Sequence, residues 1–454
     1  MTAKVNVRDL ALKVLYSIHE EDAYSNLALG EVLRRYSLSR QDRALLTELV
    51  YGVLRWRGTL DYYLSHVLNR PLEKLEPRVR DLLRLGAYQI LFLSKIPVPA
   101  AVNEAVKLAR KYGHQGIAAF VNGVLRNLDR RRQEISFPDP EDDPAGYLAV
   151  RYSHPRWLVE RWLAELGFAA TEKICRANNE IPPNTIRTNT LKISREELAR
   201  HLKGEGLEVS SCRFAPEGLK IKGFAALTGI SGWREGYFTI QDEGSMLVAR
   251  ALAPAAGATV IDACSAPGGK TTHLAQLMGN EGRIVAADLH PHKLELVEES
   301  CRRLGVKIVE VVAADARELP ARFKGEADYI LVDAPCTGLG VLRRKPEIRW
   351  RKGGEKVAEL ARLNGEILDA MAECLKPGGV LVYSTCTVSA AENQEVVTAF
   401  CRRHPEFCLE DLSPFLGEEL LQNLATGQPG NGMVQILPGE EDMDGFFIAR
   451  LRKR

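Results

Sequence analysis

From Gly257 to the end of the chain, apolar runs of strand length alternate with helix-length amphipathic stretches. Strands are expected over 258–264, 283–288, 307–313, 328–333 and 379–385, and helices over 268–278, 291–304, 355–375 and 391–404. Parallel neighbours need a long crossover, and a helix supplies it, so this alternation predicts a parallel, doubly wound α/β sheet. The last two runs, 434–437 and 446–451, are joined by too few residues for a crossover and are expected to pair antiparallel. Sheets of this kind bind ligands beyond the carboxyl ends of their strands. The residues placed there are the candidates for chemistry.

The first such end reads Asp262-Ala263-Cys264-Ser265-Ala266-Pro267-Gly268-Gly269-Lys270-Thr271. Its glycines permit close backbone approach to a ligand, and the helix behind them offers free N–H groups. Gly269-Lys270-Thr271 matches the tail of a P-loop. The first glycine of that motif would fall on Cys264, however, and Pro267 lacks an N–H for a phosphate cradle. Asp288 closes the second strand, where ribose hydroxyls are commonly held. Asp315 closes the third and suits an adenine amino group, and Asp333 closes the fourth. One aspartate at a strand end is usually a turn or cap residue. Four in succession, counting Asp262, point to a nucleoside-type cofactor.

Two cysteines follow the next strand ends, in Val332-Asp333-Ala334-Pro335-Cys336 and Tyr383-Ser384-Thr385-Cys386-Thr387. Two thiols and a carboxylate delivered there suit methylation of a pyrimidine at C5. That carbon is a poor nucleophile until a thiolate adds at C6, and a base must afterwards remove its proton. A cysteine alone is more often a small core residue; position beside the glycine loop favours catalysis for both. His290 and His292 flank Pro291 without companion ligands, so no metal is expected. Arg343, Arg344, Lys345, Arg349, Trp350, Arg351 and Lys352 follow the Cys336 loop and are expected to meet RNA phosphates and bases.

The rest of the chain reads differently. At 454 residues it has room for two or three domains. Residues 1–132 are expected to be all helix, with Leu10, Val14 and Ile18, then Leu46, Val50 and Leu54, at helical spacing. Ser25 and Ser39 are expected N-caps, and Pro77 a helix start. This third holds 22 Lys/Arg against 13 Asp/Glu within a chain whose net charge is only +2. Such a basic surplus is the footprint of a polyanion-binding surface. A proline-rich acidic stretch, 133–146, reads as a linker. A small α+β module is expected over 147–236, with strands at 185–189 and 218–222 and a capping box of Ser194 and Glu197. The catalytic domain is expected over 237–454. The amino terminus lacks the apolar core of a signal peptide, and no run of 18 apolar residues occurs. Nine cysteines without paired spacing suggest reduced thiols, and a cytoplasmic protein is expected.

Taken in order, these motifs resemble the RNA cytosine-C5 methyltransferases that use S-adenosylmethionine, and most closely the Sun/RsmB group acting on 16S, small-subunit ribosomal RNA. The resemblance rests on 262–271, Asp288, Ala314-Asp315-Ala316, 333–336, 384–386 and the ending Met443-Asp444-Gly445-Phe446-Phe447. It extends to the helical third, through 84–90 and 99–109, which is similar to NusB-type RNA-binding domains. Ser265 departs from the alanine common among relatives. The resemblance implies a Rossmann-like class I methyltransferase sheet preceded by an all-α NusB-like domain and a small α+β module. It implies Cys386 as nucleophile and Cys336 as the residue that frees the methylated base. Asp333 and Lys270 would sit at the base, and Cys264, Ser265, Ala266, Pro267, Gly268, Gly269, Lys270, Asp288, Asp315 and Asp333 would hold S-adenosylmethionine. Ribosomal RNA is the implied partner, with no membrane and no metal, and the chain is expected to act as a monomer. A transfer-RNA cytosine-C5 methyltransferase would share every one of these residues. A non-catalytic RNA-binding factor would not need the two cysteines.

The charge surplus generates a first prediction. RNA affinity of the intact chain should fall at least tenfold between about 50 and about 200 mM salt, as counterion release requires. Filter binding at several salt concentrations checks it, and a flat response would remove the electrostatic role of the basic third.

Overall fold

A computed structural model describes residues 5–224, 229–351, 353–424 and 430–454. The chain falls into two units, one built from Met1–Glu180 with Leu342–Arg351 and the other from Ile181–Val341 with Lys352–Arg454.

The first unit is helical: α1 (Val7–Glu20), α2 (Ser25–Arg35), α3 (Arg40–Ser65), α4 (Pro77–Phe92), α5 (Val98–Tyr112), α6 (Gln115–Arg131), α7 (Pro144–Arg151) and α8 (Arg156–Ala177). Leu10, Val14, Ile18, Leu46, Val50 and Leu54 all enter its core, as their spacing requires. Ser39 caps α3 by accepting the Asp42 N–H. Pro77 opens α4, and the Glu76 carboxylate before it accepts the Val79 N–H at 3.0 Å. At Gly52 a Cβ would lie 2.0 Å from the Tyr88 ring, so only glycine lets α3 and α4 approach this closely.

The compact unit runs past the acidic stretch, to Glu180. Helices α7 and α8 pack with it: Thr59 Oγ1 donates to the Val150 carbonyl at 2.6 Å, and the Gly58 N–H to Ser153 Oγ at 2.8 Å. The stretch between is anchored too, since Ile135 is buried and the Tyr62 hydroxyl donates to the Ser136 carbonyl. Helix α8 is two shorter helices joined across Gly167, whose φ of 76° is not helical.

Residues 342–351 correct a second expectation. They leave the catalytic half of the sequence and are built into the helical unit as a strap. Arg349 has no exposed surface and donates to the carbonyls of Ser153 (2.8 Å), Asn178 (3.1 Å) and Arg55 (3.3 Å) and to Asn179 Oδ1 (3.1 Å). Burial pulls its guanidinium down to about 9. Arg351 donates to the carbonyls of Ile18 and Ala23, and Trp350 fills the space over Gly58 with Arg57 against its ring. Glu347 accepts the Ser25 N–H at 3.1 Å. Ser25 is therefore the first residue of α2 and not its cap; the carboxylate arrives from the strap. A basic run with a tryptophan looked like an RNA contact because charge in sequence is normally solvated. Here Arg343, Arg349, Trp350 and Arg351 are spent inside the fold, and Lys352 lies outside the described residues.

In the second unit, β1 (Asn184–Thr188), β2 (Glu208–Ser211), β3 (Gly218–Lys222) and β4 (Phe238–Ile240) form an antiparallel sheet in the order β2-β3-β1-β4. Helix α9 (Arg195–Gly204) starts with the expected Ser194–Glu197 capping box. The edge strand β2, mostly exposed and without apolar alternation, gave no sign in the sequence.

The larger sheet contains β5 (Thr259–Asp262), β6 (Arg283–Asp288), β7 (Val309–Ala313), β8 (Ala327–Asp333), β9 (Leu375–Thr385), β10 (Phe407–Leu409), β11 (Met433–Ile436) and β12 (Phe446–Lys453). Its order is β10-β12-β9-β8-β5-β6-β7, with β11 also on β12. Strands β9, β8, β5, β6 and β7 run parallel, as the alternation predicts. The closing pair β11–β12 is antiparallel, as its short connection requires. The chain starts this sheet at β5, between β6 and β8, and winds outward both ways, so the crevice opens above β5 and β8. Among the described residues no helix is long and apolar enough to cross a membrane.

Arg349 should be a stability residue of the helical unit. Arg349→Met leaves several buried carbonyls unpaired and should cost about 3 kcal/mol. Urea unfolding followed by circular dichroism measures this, and a midpoint equal to that of the parent chain would contradict the packing role.

Candidate active site

The glycine loop rises from β5 and is pinned from below. Ser265 N–H donates to the Ala287 carbonyl of β6 at 2.8 Å, and Thr271 Oγ1 donates to Asp262 Oδ2 at 2.7 Å. Gly268 has φ 95°, in the left-handed region, and precedes the helix Gly269–Leu277. A Cβ on Gly268 would meet the Val297 backbone at 3.0 Å, so the turn needs glycine twice over. Gly269 faces open space. Arg187 on β1, which sequence reading passed over, has no exposed surface and holds the start of this helix from behind. It donates to the Gly269 carbonyl, to Thr272 Oγ1 at 2.9 Å and to Gln276 Oε1 at 2.7 Å. A strand arginine normally faces solvent, so no sequence signal marked it.

Asp262 is wholly buried, and burial pushes its carboxyl up to about 7. Its role is beneath the loop rather than at the surface of the crevice. Its Oδ1 and Ser265 Oγ have no hydrogen-bond partner among the described residues. Gly269, where a Cβ would meet open space, leaves the loop backbone free to approach a ligand such as S-adenosylmethionine. Asp288 accepts the His290 N–H at 2.9 Å and the Ala266 N–H at 3.4 Å. Asp315 caps the turn Ala316–Glu318 and pairs with Arg317 at 2.7 Å. Asp288 and Asp315 close neighbouring strands on the β6–β7 side of the crevice.

The two cysteine loops sit on the β8–β9 side. Register places Asp333 opposite Ser384, Ser384 Oγ donates to Asp333 Oδ1 at 2.8 Å, and the Ala334 N–H donates to the Ser384 carbonyl at 2.8 Å. The chains then diverge just enough to set Cys336 Sγ 3.3 Å from Cys386 Sγ. Lys270 reaches over from the glycine loop and pairs with Asp333 at 2.7 Å, above the Phe446 ring. All four predicted catalytic residues, Cys336, Cys386, Asp333 and Lys270, therefore meet in one place. Burial works against the Lys270 ammonium, but Asp333 outweighs it, and the nearby Cys386 adds to the effect; the group is held above its usual range. The hydrogen bond to Cys386, then burial, push the Cys336 thiol well above its ordinary range. Of the pair, Cys336 is the one held as a thiol, and the Lys270 ammonium lies on the Cys386 side.

Sequence reading missed the frame around the sulfurs. Gly340 and Gly445 touch: a Cβ on Gly340 would lie 2.2 Å from the Gly445 carbonyl and 2.9 Å from that of Cys386. The Gly340 N–H donates to the Cys386 carbonyl at 3.0 Å, and the Gly445 N–H to the Gly340 carbonyl at 2.8 Å. Asn393 brackets Cys386, accepting from Thr385 Oγ1 at 2.6 Å and donating to the Thr387 carbonyl at 3.1 Å. The Met443–Phe447 ending had been legible as a motif, but not its place against the cysteine loop.

Comparison with known proteins follows the same lines. The family model for 16S rRNA methyltransferase RsmB/F matches residues 249–452, that of the NusB family 5–130, and that of the ferredoxin-like domain of RsmF/B-like methyltransferases 154–228. A protein of Bacillus subtilis named probable ribosomal RNA small subunit methyltransferase B is 46% identical, covering 99% of both chains. Ribosomal RNA small subunit methyltransferase B of Klebsiella pneumoniae is 35% identical over 100% of both. Among solved structures, NSun6 from Pyrococcus horikoshii with SFG is 31% identical with a TM-score of 0.59, covering 66% of this chain and 98% of that one.

Lys270 should lower the pH at which Cys386 reacts. With wild-type protein, limited alkylation read by mass spectrometry should label Cys386 ahead of Cys336. In Lys270→Met the pH profile of Cys386 labelling should move upward, because the thiolate loses its cation. An unmoved profile would separate the lysine from the sulfur.

Proposed function

The chain belongs to the 16S rRNA methyltransferase RsmB/F family, and on that premise we propose that it methylates C5 of a cytosine in small-subunit ribosomal RNA with S-adenosylmethionine as donor. The observation that carries this reading is the pair of sulfurs 3.3 Å apart beside the Lys270–Asp333 ion pair. A methyltransferase acting on an already nucleophilic atom needs no thiol at all. Cytosine C5 needs one to activate the ring.

The base leaves its stack to enter the crevice. The Cys386 thiolate adds to C6, and the electron pair of the C5–C6 bond moves onto C5 and the ring. S-adenosylmethionine, when bound, supplies the electrophilic methyl group. The residues that would hold it are the loop from Cys264 to Lys270 with Asp288, Asp315 and Asp333. Asp333, held by Ser384 and Lys270, would contact the cytosine, and the Lys270 ammonium beside it would favour charge on Cys386. The coupling of the thiols supports an order of events. While Cys386 is a thiolate, Cys336 is held protonated. Once Cys386 is consumed in the bond to C6, the main cause of that shift is gone, so Cys336 can give its own proton to solvent and then, as thiolate, take the C5 proton. The C6–S bond then breaks and Cys386 leaves as thiolate. The NusB-like unit, with its basic surplus, supplies RNA affinity and choice of target.

Methyl transfer to RNA, with bisulfite mapping of modified cytosines, tests the reading. Cys386→Ala should abolish methylation and leave cofactor binding intact. Cys336→Ala should accumulate a denaturant-resistant protein–RNA adduct that disappears in the double variant. A Cys386→Ala protein with near-normal turnover would overturn the mechanism, and adduct formation by Cys386→Ala alone would reverse the two roles. Modified sites confined to transfer RNA would replace the substrate while leaving the chemistry.

A further inference from the structure

Glu392 lies in the turn after the Cys386 loop and has no exposed surface. Its carboxylate grips a single residue twice. Oε1 accepts the Thr337 N–H at 2.8 Å and Oε2 the Thr337 hydroxyl at 2.7 Å. Thr337 directly follows Cys336. Its hydroxyl also lies 2.7 Å from the hydroxyl of Thr387, which directly follows Cys386. The Leu339 N–H, further along the Cys336 loop, points back to Thr387 Oγ1 at 3.3 Å.

Proton counting orders this chain. A carboxylate only accepts, and each threonine hydroxyl has one proton to give. Thr337 gives its proton to Glu392 and accepts one from Thr387, and Thr387 in turn accepts the N–H of Leu339. Every bond then points toward the carboxylate, and both cysteine loops are tied to it through the residue next to each sulfur. The far end is fixed as well: the buried Tyr383 hydroxyl donates to the Glu392 carbonyl at 2.6 Å and receives from Asn364 at 3.1 Å. Glu392 touches neither sulfur in this chain of bonds. It sets the distance between them.

We propose that Glu392 is a positioning residue for methyl transfer, locking the Cys336 loop to the Cys386 loop so that the two sulfurs keep their order and separation. The proposal rests on the cytosine-C5 reading for its catalytic consequence, but the locking itself is independent of any substrate. Burial of the Glu392 charge also fits the thiol state of Cys336, which the carboxylate favours. Replacing Glu392 by Gln turns one acceptor into a donor. With Oε1 on the Thr337 N–H, the amide N–H meets the Thr337 hydroxyl, so the hydroxyl chain must reverse and the Thr387 proton loses its acceptor.

The test measures the lock directly in full-length protein, without RNA. Diamide takes the two thiol hydrogens onto its N=N bond and leaves a Cys336–Cys386 disulfide, which peptide mapping quantifies. Wild-type protein should cross-link readily. Glu392→Gln should cross-link at least tenfold more slowly, with cofactor binding and unfolding midpoint close to those of the parent. In methyl-transfer assays kcat should fall on the order of a hundredfold, the usual result of misplacing reacting groups by about 1 Å, with KM for RNA little changed. Thr337→Val should reproduce the effect if Glu392→Gln does not fold. The combination should cost no more than either change alone, as expected of residues acting as one unit. Wild-type cross-linking rates in both variants would overturn the proposal whatever happens to turnover. Slowed cross-linking together with full activity in Cys386→Ala would instead leave the lock standing and sink the mechanism it serves.

Discussion

The parallel pairing of β8 with β9 is the constraint on which the site depends. It sets Asp333 against Ser384, and from that register both loops leave the sheet side by side. A slip of one residue would turn every side chain on β9 to the opposite face. Cys386 would then point away from Cys336, and Asp333 would lose the hydroxyl that holds it. The register is secured on its far side by β12, which runs antiparallel to β9 and brings the Met443–Phe447 ending over the cysteines. The closing strand pair is thus part of the site.

The cysteines illustrate how two identical side chains are given different surroundings. Nothing in the residues themselves distinguishes them. The distinction arises from Lys270 favouring charge on Cys386, and from Cys386 in turn suppressing charge on Cys336. Groups this close share their protons as a pair. In the proposed reaction, loss of one charge would change the other sulfur without any movement of the chain.

The strap shows the opposite use of charge. Arg349, Arg351 and Glu347 would each be costly to bury alone, and the structure satisfies them with backbone groups of the helical unit. Arg187 does the same behind the glycine loop. In the strap the guanidinium of Arg349 gathers backbone carbonyls, and behind the glycine loop that of Arg187 takes one carbonyl, a hydroxyl and side-chain amides, uses suited to its planar set of five donors. These are also the places where sequence reading went wrong or stayed silent.

The sequence by itself determined the parallel sheet, the glycine loop, the strand-end acids, the two cysteines, the helical third and the Ser194 capping box. These are local: periodicity, turn chemistry and strand ends are written within a few residues of one another. Whether a polar residue is exposed is not local. Arg349 reads as an RNA contact and is packed inside; Ser25 reads as a cap and is itself capped by Glu347. The 3.3 Å between the sulfurs and the grip of Glu392 on Thr337 likewise join residues about fifty positions apart. Only tertiary structure decides such pairings, because the free energy of burying a charge depends on partners that the neighbouring sequence does not contain.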